Sequence, residues 1–182
     1  MLGDYIFMTR PPPCVLDPMH AAMAACGLVN LAGANLFAPE NWHQSLSDRH
    51  NSSRRETLLR AGARVQAAAF PIVLNRFRSS GVDPGHIHWE MTSRGAKPQG
   101  LVDLLDNVRL NLGLEGVHDP SGHTAHVTIC YRAFEVLSPS IPIVPITWTV
   151  DAFELVVVEG SPYRYTTIER WPLAPPRQAA LL

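Results

Sequence analysis

Two short stretches of this sequence set an imidazole beside a hydroxyl: His43-Gln44-Ser45 and His126-Val127-Thr128. Residues two apart in a strand project from the same face, so each stretch would present a proton-transfer group next to an oxygen able to hold an anion. Histidine, with an ordinary pKa of about 6.5, can give or take a proton near neutral pH. An opposed pair is therefore equipped to open a phosphodiester. One imidazole would deprotonate the attacking water and the other would protonate the departing oxygen, while Ser45 and Thr128 hold the non-bridging oxygens as charge builds. The chain has eight histidines, and its Ser and Thr content gives about one such match by chance; three occur. The third, His50-Asn51-Ser52, precedes a helix start and reads as a polar loop leading into a cap. Spacing alone does not decide.

The second stretch is the cleaner strand, with Val127 and Ile129 turned to a core and His126 and Thr128 turned away. In the first, Gln44 shares the core side with Trp42 and Leu46. Further strands are predicted at 5–9, 42–47, 72–77, 87–92, 125–131, 146–158 and 163–170, with Gly160-Ser161-Pro162 turning the last two into a hairpin. Three helices are predicted. The first opens on Asp17-Pro18 and stops at Gly27; the second starts from a Ser53/Glu56 capping box and runs to about 68. The third carries Leu101, Leu104, Leu105, Val108 and Leu112 on one face, with Gly113 past its end. Pro11 to Pro13 and the tail from Leu173 read as loop. Helices fall between groups of strands without strict alternation, which favours an α+β fold over a doubly wound parallel sheet.

A chain of 182 residues, 46% hydrophobic and 17% charged, can bury a core as one body or two closely packed lobes. Cys14, Cys26 and Cys130 form no Cys-x-x-Cys pair, and three cysteines do not make a disulfide framework. With no basic segment leading an apolar run, and no apolar run long enough to span a bilayer, a cytoplasmic protein without a membrane partner is expected. A net charge of −1 argues against a protein that coats long nucleic acid, while a single phosphate at a chain end remains a target. Lys97 is the only lysine beside fourteen arginines, which suits bidentate phosphate recognition and is equally explained by genome composition. A monomer with no obligate protein partner is the default.

The context of the first stretch, Pro39-Glu40-Asn41-Trp42-His43-Gln44-Ser45-Leu46, resembles the Pro-Glu-Asn-x-His-x-Thr-Leu signature of the 2′-5′ RNA ligase and RNA 2′,3′-cyclic phosphodiesterase family, within the two-histidine phosphoesterases. That family's second motif resembles His126-Val127-Thr128-Ile129, here 83 residues after His43. The likeness extends to a Phe-containing first strand, the Trp89 strand and the closing hairpin. It implies a bilobal α+β fold over 1–182, with 175–182 as a tail, in which two pseudo-symmetric, mainly antiparallel lobes carry helices outside and flank a central cleft. It implies hydrolysis of 2′,3′-cyclic phosphates at RNA ends or in small cyclic nucleotides to 2′-phosphates, reversible as 2′-5′ ligation, with no metal or nucleotide cofactor. It gives His43 the acid's part and His126 the base's. Two departures stand out: Ser45 replaces the usual threonine, and few basic residues flank the motifs. Arg132 is the basic residue a few positions beyond the second motif and is carried as a phosphate contact.

Phe7, Tyr163 and Tyr165 could stack on a base, although core packing is the commoner fate of an aromatic. Two other readings compete. His86-Ile87-His88 could offer two imidazoles to a metal, but no Asp or Glu cluster or Cys pair completes a shell. A non-catalytic binder of nucleotides or phosphorylated RNA ends could use the same cleft, although both motifs retain their imidazole.

Overall fold

The computed structural model describes residues 3–120, 122–160 and 164–176. In chain order these form β1 (Tyr5–Thr9), α1 (Pro13–Ala25), α2 (Leu28–Ala32), β2 (Gln44–Ser45), α3 (Arg55–Arg64), β3 (Phe70–Ser80), β4 (His88–Thr92), α4 (Gln99–Leu114), β5 (His126–Tyr131), β6 (Ile141–Val150), β7 (Ala152–Glu159) and β8 (Arg164–Pro172). The strands make two antiparallel four-stranded sheets, ordered β2-β1-β7-β8 and β5-β4-β3-β6. Each sheet thus carries one of the two histidine motifs at an edge. This is the bilobal α+β arrangement expected from the sequence. Helix α1 lies on β6 of the second sheet, and α3 lies on β7 and β8 of the first and against α4.

The predicted strand 146–158 is two strands in different sheets, divided at Asp151. Asp151 is exposed between buried Val150 and Ala152, and there the chain leaves the edge of the second sheet for the middle of the first. Strand β7 lies between β1 and β8, and its two faces feed two apolar clusters. Phe153, Leu155 and Val157 join the main core, while Val156 and Val158 pack with Ile6 and Met8 on the other side. That two-sided burial explains the continuous run Leu155-Val156-Val157-Val158, which carries no period-2 signal by which to separate it from its neighbour.

The helix ends also differ from expectation. Helix α1 starts at Pro13, with Asp17-Pro18 inside it, because Pro13 already supplies the preset φ of a first helical residue. It closes as expected before Gly27, which takes φ +72°. Helix α3 starts after a 3₁₀ turn at Ser52–Arg54, which Asn51 caps by accepting the Ser53 N–H; α3 itself follows Arg54 with no side-chain cap, so the expected Ser53/Glu56 box does not form. It stops at Arg64, four residues short of expectation. Helix α4 buries the predicted leucine face and includes Gly113; Gly116, at φ +72°, follows its end.

Trp42, Trp89 and Trp148 are fully buried in a core cluster fed by both sheets. Phe7 is fully buried too, against Phe153 and Trp171, and is not available to stack on a ligand. Tyr163, the Ser161-Pro162 part of the expected turn and residues 177–182 of the expected tail lie outside the described residues. Among the described residues no single helix is long and apolar enough to cross a membrane.

Candidate active site

His43 follows a 3₁₀ turn at Pro39–Asn41 and stands immediately before β2, which is shorter than the predicted strand. Its Nδ1 lies 2.7 Å from the Asn41 carbonyl. A carbonyl only accepts, so Nδ1 carries the proton and Nε2 the lone pair. His126, at the start of β5, repeats the arrangement: its Nδ1 is 2.9 Å from the Thr124 carbonyl. Both imidazoles are thus oriented by the backbone two residues upstream, the kind of fixation that sets a tautomer.

The motif strands also touch. Gln44 is fully buried, and its Oε1 accepts the backbone N–H of His126 at 2.8 Å while its Nε2 donates to the Ser45 carbonyl at 2.9 Å. A polar residue on the core side of β2 is therefore the clasp between the two sheets. Ser45 is the cross-strand partner of Met8, so its side chain shares the face of Met8 and not that of Gln44. Thr128 faces away from buried Val127 and Ile129 and shares a hydrogen bond with the Tyr131 hydroxyl.

His43 is 7% exposed, and its pKa is pushed down to about 4. Burial is the main cause; the Asn41 carbonyl opposes it, and the positive charges of His126, Arg10 and Arg49 add to the depression. The imidazole is therefore neutral at pH 7. Aromatic rings complete the enclosure. Tyr165 meets His43 edge-on at 4.8 Å between centroids, and Phe37 meets it at 6.4 Å. Phe37 also contacts Tyr131 at 5.0 Å and Tyr165 at 6.1 Å, joining rings from both sheets.

Beside this pair opens a cavity of about 720 Å³, lined among others by Phe37, Arg49, His88, Tyr131, Arg132 and Tyr165. Its walls do not include His43, His126, Ser45 or Thr128; it meets them through Tyr165, which touches His43, and Tyr131, which touches Thr128. Arg132 adopts φ +56° where the chain leaves β5, its carbonyl accepts from Asn35 Nδ2 at 3.0 Å, and it lines the cavity rather than the row of His126 and Thr128.

His86 and His88 line the same cavity. Among the described residues no group of three or more His, Cys, Asp or Glu is gathered to hold a metal. Of the residues that sequence reasoning left aside, Arg49 matters most, since its charge acts on both His43 and Tyr131. It sits in the loop after β2, where no pattern marks it. Tyr131 had a signal: it ends the His126 strand, beyond the bulge opposite Trp89 and Glu90 that alters the alternation of faces.

No family model and no curated protein sequence matches the chain. Solved structures do. E. coli LigT in apo form superposes with a TM-score of 0.75 at 21% identity, covering 95% of this chain and 98% of that one. E. coli LigT complexed with 3′-AMP gives 0.72 at 20% identity, covering 94% and 98%. A phosphoesterase gives 0.74 at 20% identity, covering 96% and 99%. The chain has the fold of these proteins over nearly its whole length.

Proposed function

We propose that the protein is a metal-independent phosphoesterase that opens 2′,3′-cyclic phosphates of RNA ends or small nucleotides to 2′-phosphates, with His43 and His126 as its acid and base. The observation that carries this reading is the matched pair: two imidazoles, one from each sheet, each with Nδ1 tied to the carbonyl two residues upstream and Nε2 left for proton transfer. Ser45 and Thr128 would hold the non-bridging oxygens, and Arg49 and Arg132 would add positive charge at the cavity. The likeness in fold to LigT, which has been solved with 3′-AMP and with phosphate, fits a nucleotide-sized anionic ligand.

His126 removes a proton from water as it attacks phosphorus, and His43 gives a proton to the departing ribose 3′ oxygen. His43 is neutral in the free protein, so it takes up that proton when the anionic phosphate enters and its charge favours the imidazolium. With a 5′-hydroxyl in place of water as the nucleophile, the same groups in the same roles form a 2′-5′ linkage, the 5′ oxygen bonding to phosphorus as the 3′ oxygen departs.

The test is turnover of nucleoside 2′,3′-cyclic monophosphates by the purified protein in the presence of a chelator, with the product identified. Release of the 2′-phosphate supports the proposal. A nucleotide that binds tightly and is never converted would instead favour the non-catalytic binder.

A further inference from the structure

The cleft face of the second sheet carries a feature that opening one cyclic phosphate does not use. Pairing across β3, β4 and β5 aligns Arg76 with Thr92 and His126 in one row, and Arg78 with Glu90 and Thr128 in the next. The intervening residues Phe77, Met91 and Val127 are buried on the opposite face, so both rows project on the side of the histidine motif. Arg76 and Arg78 therefore stand two strands, about 10 Å, from His126 and Thr128 across one continuous surface. At the Arg76 end the loop after β4 folds back, with Ser93 Oγ donating to the Val73 carbonyl and the Arg94 N–H to Asn75 Oδ1. It closes a small cavity of about 130 Å³ lined by Arg76, Arg78, Thr92, Ser93, Lys97 and Thr124. Thr124 is the residue whose carbonyl holds His126, so this cavity adjoins the reacting centre from the side opposite the aromatic one.

Its charge is unbalanced. Glu90 is engaged by Arg78 at 3.0 Å and by Ser80 at 2.5 Å, and no acidic residue lines the cavity to answer Arg76 and Lys97. Arg76 Nε is buried and meets no acceptor among the described residues. A buried guanidinium N–H costs stability unless an oxygen faces it, and phosphate oxygens match that geometry.

We infer that this cavity is a second anion site, and that the protein is built for an oligonucleotide end, one phosphate at the histidines and a neighbouring backbone phosphate at Arg76 and Lys97. The inference deepens the proposed function and rests on it for the identity of the substrate. Its test is equilibrium binding of two product-type probes: a nucleoside 2′-phosphate, and a dinucleotide that ends in a 2′-phosphate and adds one internal phosphate. Wild-type protein should bind the dinucleotide roughly tenfold or more tightly, the worth of one charge-assisted hydrogen bond. In Lys97→Met and Arg76→Met that ratio should fall toward one. Lys97 sits on a loop, so its variant keeps the test open where substitution on the central strand β3 disturbs folding. Equal wild-type affinity for the two probes, or a preference that survives Lys97→Met in folded protein, would overturn the second site. Binding with the expected ratio but no turnover of cyclic substrates would overturn the proposed reaction and leave this site standing.

Discussion

The side chain of Gln44 holds the backbone of His126. Its Oε1 accepts the His126 N–H at 2.8 Å across 82 residues of chain, and its Nε2 returns to the carbonyl of Ser45. A buried amide thereby sets the spacing of two histidines that belong to different sheets.

Replacing it separates that spacing from the chemistry. Gln44→Leu keeps most of the volume but leaves the His126 N–H without its acceptor, a loss of about 1–3 kcal/mol. Urea unfolding should show that loss. Turnover should fall while substitution of other buried residues of equal stability cost, far from the cleft, leaves it in place.

His43 ties pH to both state and stability. Its folded pKa, about 4, lies below the unfolded value near 6.5, so between those limits the unfolded chain binds a proton that the folded chain does not. Stability contributed by this residue is therefore complete above about 6.5 and falls as pH drops toward 4, by up to about 3 kcal/mol. Acid unfolding of His43→Gln should lack that part of the slope. NMR titration of the His43 ring should place its midpoint far below 6.5 and move it upward when phosphate is bound.

Arg49 depresses His43 and lines the cavity. Arg49→Met should raise the His43 midpoint and, by removing one positive charge facing the phosphate, raise KM for cyclic nucleotides roughly tenfold. A KM equal to that of the wild type would remove Arg49 from the binding surface.

Tyr165 is half of the enclosure of His43. Tyr165→Ala should admit water to the imidazole and bring its pKa back toward the ordinary value, because burial is the first cause of the shift. The ring titration reads this directly.

Strong periodicity made much of this legible in advance. Strand β1 has the predicted bounds, and the five apolar positions of α4 are all buried. The histidine motifs stood out because imidazole and hydroxyl recur at the strand period. What sequence did not disclose depends on tertiary company. The division at Asp151 is set by which sheet each strand joins, and β7, covered on both faces, offers no alternation to read. Gln44 looked like a flaw on a core face, and only the neighbouring sheet shows what it holds. Arg49 becomes part of the site because a loop returns to the cleft.

The central claim is that His43 and His126 act together as acid and base. The most direct measurement is single-turnover hydrolysis of a nucleoside 2′,3′-cyclic monophosphate by wild type, His43→Ala, His126→Ala and the double variant, with chelator present. Each single variant should lose at least about a hundredfold in rate, and the double variant little more than either, because the two imidazoles work as one unit. Hydrolysis that persists undiminished in either single variant would contradict the account.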